Sequence, residues 1–186
     1  RILEIGLGCD MKFGAGASVG IWRRMLEAYP PTGNEKDELW EAEMNAKCAD
    51  AKIKDGSLDG IHVLIGDQSN ADTVRKWKQE AGGGFDFVID DGGHSVGDIV
   101  TSFEILWDSV APGGYYFLED LQYSAGIWLA GRGQDKVGGR NIAILPLIRH
   151  WMDQLVVARG PSKNPAHPHA QMPKGLKWIM CQVSRW

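Results

Sequence analysis

Short apolar runs and amphipathic stretches alternate along the chain. Ile2-Leu3-Glu4-Ile5, Leu39-Trp40-Glu41-Ala42-Glu43, Ile61–Ile65, Phe85–Ile89, Tyr115–Leu118 and Leu176–Val183 are rich in β-branched and aromatic residues, and each predicts a strand. Between them apolar positions recur at helical spacing. Val19 to about Ala28 puts Ile21, Trp22, Met25 and Leu26 on one face behind Ser18, a predicted N-cap. Ala46–Lys54 and Ala71–Ala81 predict shorter helices. Val96–Val110 carries Ile99, Phe103, Leu106 and Trp107 at that spacing, and Asn141–Ala158 carries Ile144, Leu147, Ile148 and Trp151. Asp55-Gly56, Gly82-Gly83-Gly84 and Pro112-Gly113-Gly114 punctuate these segments. The alternation predicts an α/β, Rossmann-like fold, a mostly parallel sheet with helices on both faces, as a single domain over 1–186.

A strand, helix, strand crossover makes neighbouring strands parallel, so their carboxyl ends share one edge, where ligands of open α/β sheets bind. The first strand breaks into Gly6-Leu7-Gly8, glycines that let backbone approach a ligand. Glu4 beside them opposes a pyrophosphate and suits a ligand with positive charge, such as the ammonium and sulfonium of S-adenosylmethionine, better than NAD. A capping role for Glu4 is the plainer alternative. Glu43, with Glu41 as the second candidate, ends the second strand where an acidic residue bonds ribose hydroxyls. Asp67 and Gln68, after the third, offer an acceptor and a donor to the edge of an adenine. The fourth strand ends in Asp90-Asp91-Gly92-Gly93-His94, the fifth in Glu119-Asp120. Four carboxylates on one edge repel unless a cation joins them. Mg²⁺ accepts such ligands, and His94 beside it has the chemistry to take a proton from a hydroxyl. Turn and cap roles explain either cluster alone.

Length and composition narrow the class. At 186 residues and 44% hydrophobic the chain fits one domain with a sizeable core. A net charge of -4 gives no invitation to nucleic acid or an anionic membrane, and no run is apolar enough to span a bilayer. Cys9, Cys48 and Cys181 lack metal-ligand spacing and are odd in number, which predicts a reducing, cytoplasmic setting. The eight tryptophans predict core or pocket wall. Gln122–Gly139, glycine-rich, reads as a loop beside the active edge, a lid or substrate wall, and 160–173 as a Pro- and His-rich linker. The opening at Arg1, directly on a strand, reads as an excised piece of a longer chain.

Glu4-x-Gly6-x-Gly8, Glu43, Gly66-Asp67, Asp90-Asp91-Gly92-Gly93-His94 and Pro112-Gly113-Gly114 leading to Glu119-Asp120 together resemble a class I S-adenosylmethionine-dependent methyltransferase. Phe85–Asp120 is similar to the macrocin or mycinamicin type of sugar O-methyltransferase, its cephalosporin-hydroxylase-like relatives, and fungal members of the group described as hard-surface-induced. Gly93 stands where the group has a serine. The resemblance implies Asp91, Glu119 and Asp120 as Mg²⁺ ligands and His94 as base. It implies Glu4, Gly6 and Gly8 around the amino acid part of the cofactor, Glu43 on the ribose, Asp67 near adenine, and Asp90 beside the methionine portion or supporting the metal. It implies a small-molecule acceptor, such as a glycosylated metabolite of secondary metabolism, and a homo-oligomer. It also implies a closing strand after Leu176–Val183, so the domain reads as truncated at both ends. Two other classes stay open: a catalytically inactive nucleotide-fold binding module, and a nicotinamide oxidoreductase, which Glu4 and the lack of a compact Gly-x-Gly-x-x-Gly turn disfavour.

Overall fold

The computed structural model describes residues 1–12, 14–30, 37–124, 135–137, 140–157 and 178–181. Strands β1 (Ile2–Ile5), β2 (Leu39–Glu43), β3 (His62–Ile65), β4 (Phe85–Asp90) and β5 (Val110–Leu118) alternate with helices α1 (Ala17–Ala28), α2 (Ala46–Lys54), α3 (Ala71–Ala81) and α4 (Val96–Leu106). Then follow α5 (Leu121–Ser124), an antiparallel pair β6 (Asp135–Val137) and β7 (Arg140–Ile142), α6 (Ile144–Val157) and β8 (Trp178–Cys181). The main sheet runs β3-β2-β1-β4-β5-β8 with every pairing parallel. The order reverses between β1 and β4, and such a switch point opens a crevice at the carboxyl edge.

Each face of the sheet has its own core. Leu3, Ile5, Ala42, Leu64, Val88 and Tyr116 pack with residues of α3, α4 and α6. Ile2, Leu39, Ile89, Phe87 and Phe117 pack with α1 and α2 on the opposite face. Strand alternation makes this division: neighbours in a strand address opposite helix layers. It decides where each acidic residue of the edge goes.

The local signals explain the helices. Asn70 caps α3 by accepting from the amides of Asp72 and Thr73, and Gly82 ends it in the left-handed region. Ser95 and Asp98 form a reciprocal capping box that starts α4. Helix α1 differs from expectation. It begins at Ala17 with Gly16 as N-cap and no side-chain cap, so Ser18 lies inside the first turn. The helix expected over Val96–Val110 is α-helical to Leu106 and continues as a 3-10 turn over Trp107–Ser109, after which β5 begins at Val110. Pro112-Gly113-Gly114 lie inside β5 as a register break, Phe85 pairing Val110 and Phe87 pairing Tyr115. The predicted Gln122–Gly139 loop contains the end of α5 and strand β6, while 125–134 and the Pro- and His-rich 160–173 lie outside the described residues.

Candidate active site

A crevice of about 310 Å³ opens at the switch point, with Gly6, Glu43, Asn45, Gly66, Asp67 and Gly93 on its wall. Gly6 makes the close approach. Its φ is +110°, its amide donates to the Ala42 carbonyl, and an added Cβ would overlap the Asp91 carbonyl oxygen. Gly8 turns the loop beyond, its carbonyl accepting from the Met11 amide, and is not among the wall residues. Cys9, on the wall, is disulfide-bonded to Cys48 of α2, with Cα atoms 6.1 Å apart. That pairing corrects the expectation of reduced thiols drawn from an odd count. Two of the three cysteines meet in space although 39 residues separate them.

Glu43 reaches the crevice and also builds it. Its carboxylate accepts from the Leu7 amide at 3.0 Å and the Asn45 amide at 2.6 Å, joining the glycine loop to the end of β2. Glu41, two residues back on the same face, is fully buried. Asp67 is also on the wall, its Oδ1 accepting from the backbone and hydroxyl of Ser69. Gln68 does not offer a donor to an adenine: its Nε2 donates to Asp90 at 2.7 Å and Ser102 at 3.0 Å, and its Oε1 accepts from the Gly93 amide at 3.0 Å.

Two expected cofactor residues face elsewhere. Asp90 is fully buried on the α4 face, held by Gln68, by a short hydrogen bond from Ser102 and by Tyr116. Burial pushes its carboxyl up to about 6 against these hydrogen bonds. It anchors Gln68, which holds the Gly93 turn, and so acts behind the crevice rather than in it. Ser102 was unmarked in the sequence; the available signal was a lone hydroxyl in the apolar stripe of α4. Glu4 points to the α1 face, where its Oε2 accepts from the Trp22 indole at 3.0 Å. Its cross-strand partner is Glu41. Burial raises both carboxyls, that of Glu41 well above its usual range. The two Glu41 oxygens meet no ordinary donor, so this pair is best satisfied by a proton on Glu41 donated to Glu4. Glu4 is thus a buried carboxylate beside the crevice and outside its wall.

The second feature of the edge gathers three other groups. Asp91, His94 and Asp120 offer ligand atoms that all lie within 4.8 Å of one another. His94 Nε2 stands 3.8 Å from Asp91 Oδ1 and 3.9 Å from Asp120 Oδ2. Both His94 and Asp120 adopt left-handed backbone, φ +53° and +50°, a costly conformation that turns the two loops toward each other. Glu119 is not one of these three groups, but it follows Leu118, the partner of Asp90, so alternation sends it to the same α1 face as Asp91, and its charge raises the carboxyls of both Asp91 and Glu4. Burial, then the charges of Glu119 and Asp120, pushes Asp91 up to about 7. Burial lowers the His94 imidazole, against the pull of Asp120 and Asp98. Tyr123 stacks on the His94 ring, centroids 5.5 Å apart and planes 14° from parallel. Hard oxygen donors with unbalanced negative charge fit a divalent cation such as Mg²⁺, and the imidazole lies within the same group.

No family model matches the chain. The chain is 31% identical over 170 residues to 8-demethyl-8-(2-methoxy-alpha-L-rhamnosyl)-tetracenomycin-C 3'-O-methyltransferase of Streptomyces olivaceus, covering 90% of this chain and 39% of that enzyme. It is 28% identical to demethylmacrocin O-methyltransferase of Streptomyces fradiae, over 83% of this chain and 35% of that one. Among solved structures, the MycE methyltransferase of the mycinamycin biosynthetic pathway, in complex with Mg and SAH, superposes with a TM-score of 0.65 at 26% identity, over 92% of this chain and 40% of that chain. The chain thus spans about two fifths of the length of the relatives it matches. In sequence and in fold it corresponds to the class I S-adenosylmethionine-dependent methyltransferase region of the macrocin- and mycinamicin-type sugar O-methyltransferases.

Proposed function

We propose that the protein containing this chain transfers a methyl group from S-adenosylmethionine to a hydroxyl of a glycosylated small molecule, with Mg²⁺ assisting. The observation that carries the reading is the Asp91, His94 and Asp120 group at the same sheet edge as the crevice of Gly6, Glu43 and Gly66. When bound, S-adenosylmethionine supplies an electrophilic methyl, and a divalent cation supplies the charge that lowers the pKa of an acceptor hydroxyl. Asp91 and Asp120 would hold the cation, with Glu119, whose charge already bears on Asp91, as the third expected ligand. His94 Nε2 takes the hydroxyl proton. Burial keeps the imidazole neutral at pH 7, the form that can accept it. Glu43 receives the ribose hydroxyls, and the glycine loop, braced by the Leu7 amide on Glu43, shapes the crevice around the cofactor. Asp67 borders the adenine end, and Asp90 steadies the Gly93 turn from beneath.

No helix among the described residues is long and apolar enough to cross a membrane. The Cys9–Cys48 bridge fits a compartment that is not strongly reducing, against the cytoplasmic setting expected from the cysteine count. The test is isothermal titration of S-adenosylhomocysteine, with and without Mg²⁺, and of NAD, into the full-length parent protein. Saturable binding of S-adenosylhomocysteine alone among the two is expected. Binding of NAD instead would replace the reading with an oxidoreductase, and binding of neither would leave a fold without this chemistry.

A further inference from the structure

One uncharged side chain is buried against a member of the carboxylate group and bonds it directly. Gln122 opens the segment that reads as a loop in the sequence, yet it is only 6% exposed. Its Nε2 donates to Asp120 Oδ1 at 2.7 Å. A carboxylate only accepts, so the bond also decides which end of the amide faces Asp120. The other end, Oε1, is buried with no hydrogen-bond partner among the described residues. Burying an amide with its acceptor unsatisfied is unfavourable for folding alone, so the one bond that the side chain does make calls for an explanation.

Asp120 is a residue that needs holding. Rotation about the Cβ–Cγ bond of an aspartate is broad and nearly twofold, so an unheld carboxylate exchanges its two oxygens. The left-handed backbone of Asp120, φ +50°, is likewise not a preference of the chain. The turn beyond it is fixed at three points: Leu121 is buried in the core of the α4 face, the Tyr123 amide donates to the Asp120 carbonyl at 3.0 Å, and Gln122 takes Oδ1. With Oδ1 held, Oδ2 is the oxygen on the side of His94, 3.9 Å from Nε2. We propose that Gln122 is the positioning residue of the candidate cation site, holding Asp120 Oδ1 so that Oδ2 is presented to the group shared with Asp91 and His94. The inference rests on the methyltransferase reading and adds to it the side chain that orders one expected ligand before a cation arrives. Hydrogen-bond partners behind a ligating carboxylate act in this way, by removing orientations that cannot bind.

The probe is Mn²⁺, which takes the same oxygen donors as Mg²⁺ and whose unbound form is counted by electron paramagnetic resonance. The full-length parent protein, wild type and Gln122→Met, is titrated with it, and S-adenosylhomocysteine affinity is measured without metal. Methionine keeps the length and bulk of the side chain and removes the donor and the unsatisfied acceptor together, so the fold is expected to hold. Mn²⁺ affinity should fall about 10- to 100-fold, with S-adenosylhomocysteine affinity within about twofold of wild type. Unchanged Mn²⁺ affinity in the variant overturns the inference and leaves the methyltransferase reading standing. An equal fall in S-adenosylhomocysteine affinity overturns it too, because the loss is then general to the sheet edge. Absence of Mn²⁺ binding to the wild type overturns it together with the cation's part in the reaction. Absence of S-adenosylhomocysteine binding, with the Mn²⁺ result as expected, is the separate failure of the methyltransferase reading. A circular-dichroism melt close to that of wild type is the check on folding, and Gln122→Leu, of similar bulk, takes the place of a Met variant that fails it.

Discussion

Burial lets Asp90 keep its proton up to about pH 6, against an ordinary value of 3.8. Because the folded value is the higher one, this group's contribution to stability is fully present below about 3.8 and is lost as pH rises through about 6. The loss is on the order of 3 kcal/mol. Asp90→Asn keeps a side chain that Ser102 and Gln68 can bond and removes the titration. Urea unfolding of both proteins at about pH 4 and about pH 7 should show a smaller pH-dependent fall in the variant; parallel curves would refute the assignment. In the proposed reaction Asp91 and His94, one and four residues on, serve chemistry instead. His94→Ala should lower turnover by about 10²–10⁴ with cofactor affinity nearly unchanged, and Asp91→Ala should abolish the Mg²⁺ response in the same steady-state assay. Cofactor binding lost in both variants would contradict these roles. The sequence alone marked all three residues as candidates, but dividing them required the phase of β4. Val88 faces α4, which sends Asp90 there, and Ile89 faces α1, which sends Asp91 to the other side.

At the scale of elements, hydrophobic period was the readable signal. Leu39–Glu43, Ala46–Lys54 and Ala71–Ala81 have the bounds the pattern predicts, the two helices because each has a capping Asn before it and a glycine at or just past its end. Elements set by tertiary contacts were not readable. The start of α1 depends on Gly16 in the left-handed region, and the start of β5 at Val110 depends on pairing with Phe85 across a bulge. Strand β6 lies in the segment whose glycines suggested an open loop, and β7 takes Asn141 and Ile142 from the start of the expected helix. The β1-to-α1 connection carries its own prediction. Gly6→Ala puts a Cβ against the Asp91 carbonyl at a φ of +110°, so β1 and the β4 turn must separate. A loss on the order of 3 kcal/mol is expected in thermal unfolding, with weakened S-adenosylhomocysteine binding. Unaltered stability would show that the two loops yield without cost.

Across the molecule, the parallel sheet and the placing of chemistry at its carboxyl edge follow from crossover connections and were foreseeable, whereas the strand order came only from the structure. The Cys9–Cys48 bridge was not, since pairing of distant residues leaves no local pattern. It closes a long loop and joins the crevice wall to α2, so reduction with dithiothreitol should cost about 2–4 kcal/mol, read as a lower Tm in calorimetry. An unchanged Tm would mean that the thiols are free in solution. The same bond gives preparative history a place in the biochemistry of this protein. Purification in the customary thiol buffers would yield one polypeptide with a loosened mouth to its crevice, and oxidative refolding would yield another with that mouth tied shut at one side. Titrations from two laboratories could then differ in affinity while agreeing in sequence, mass and secondary structure.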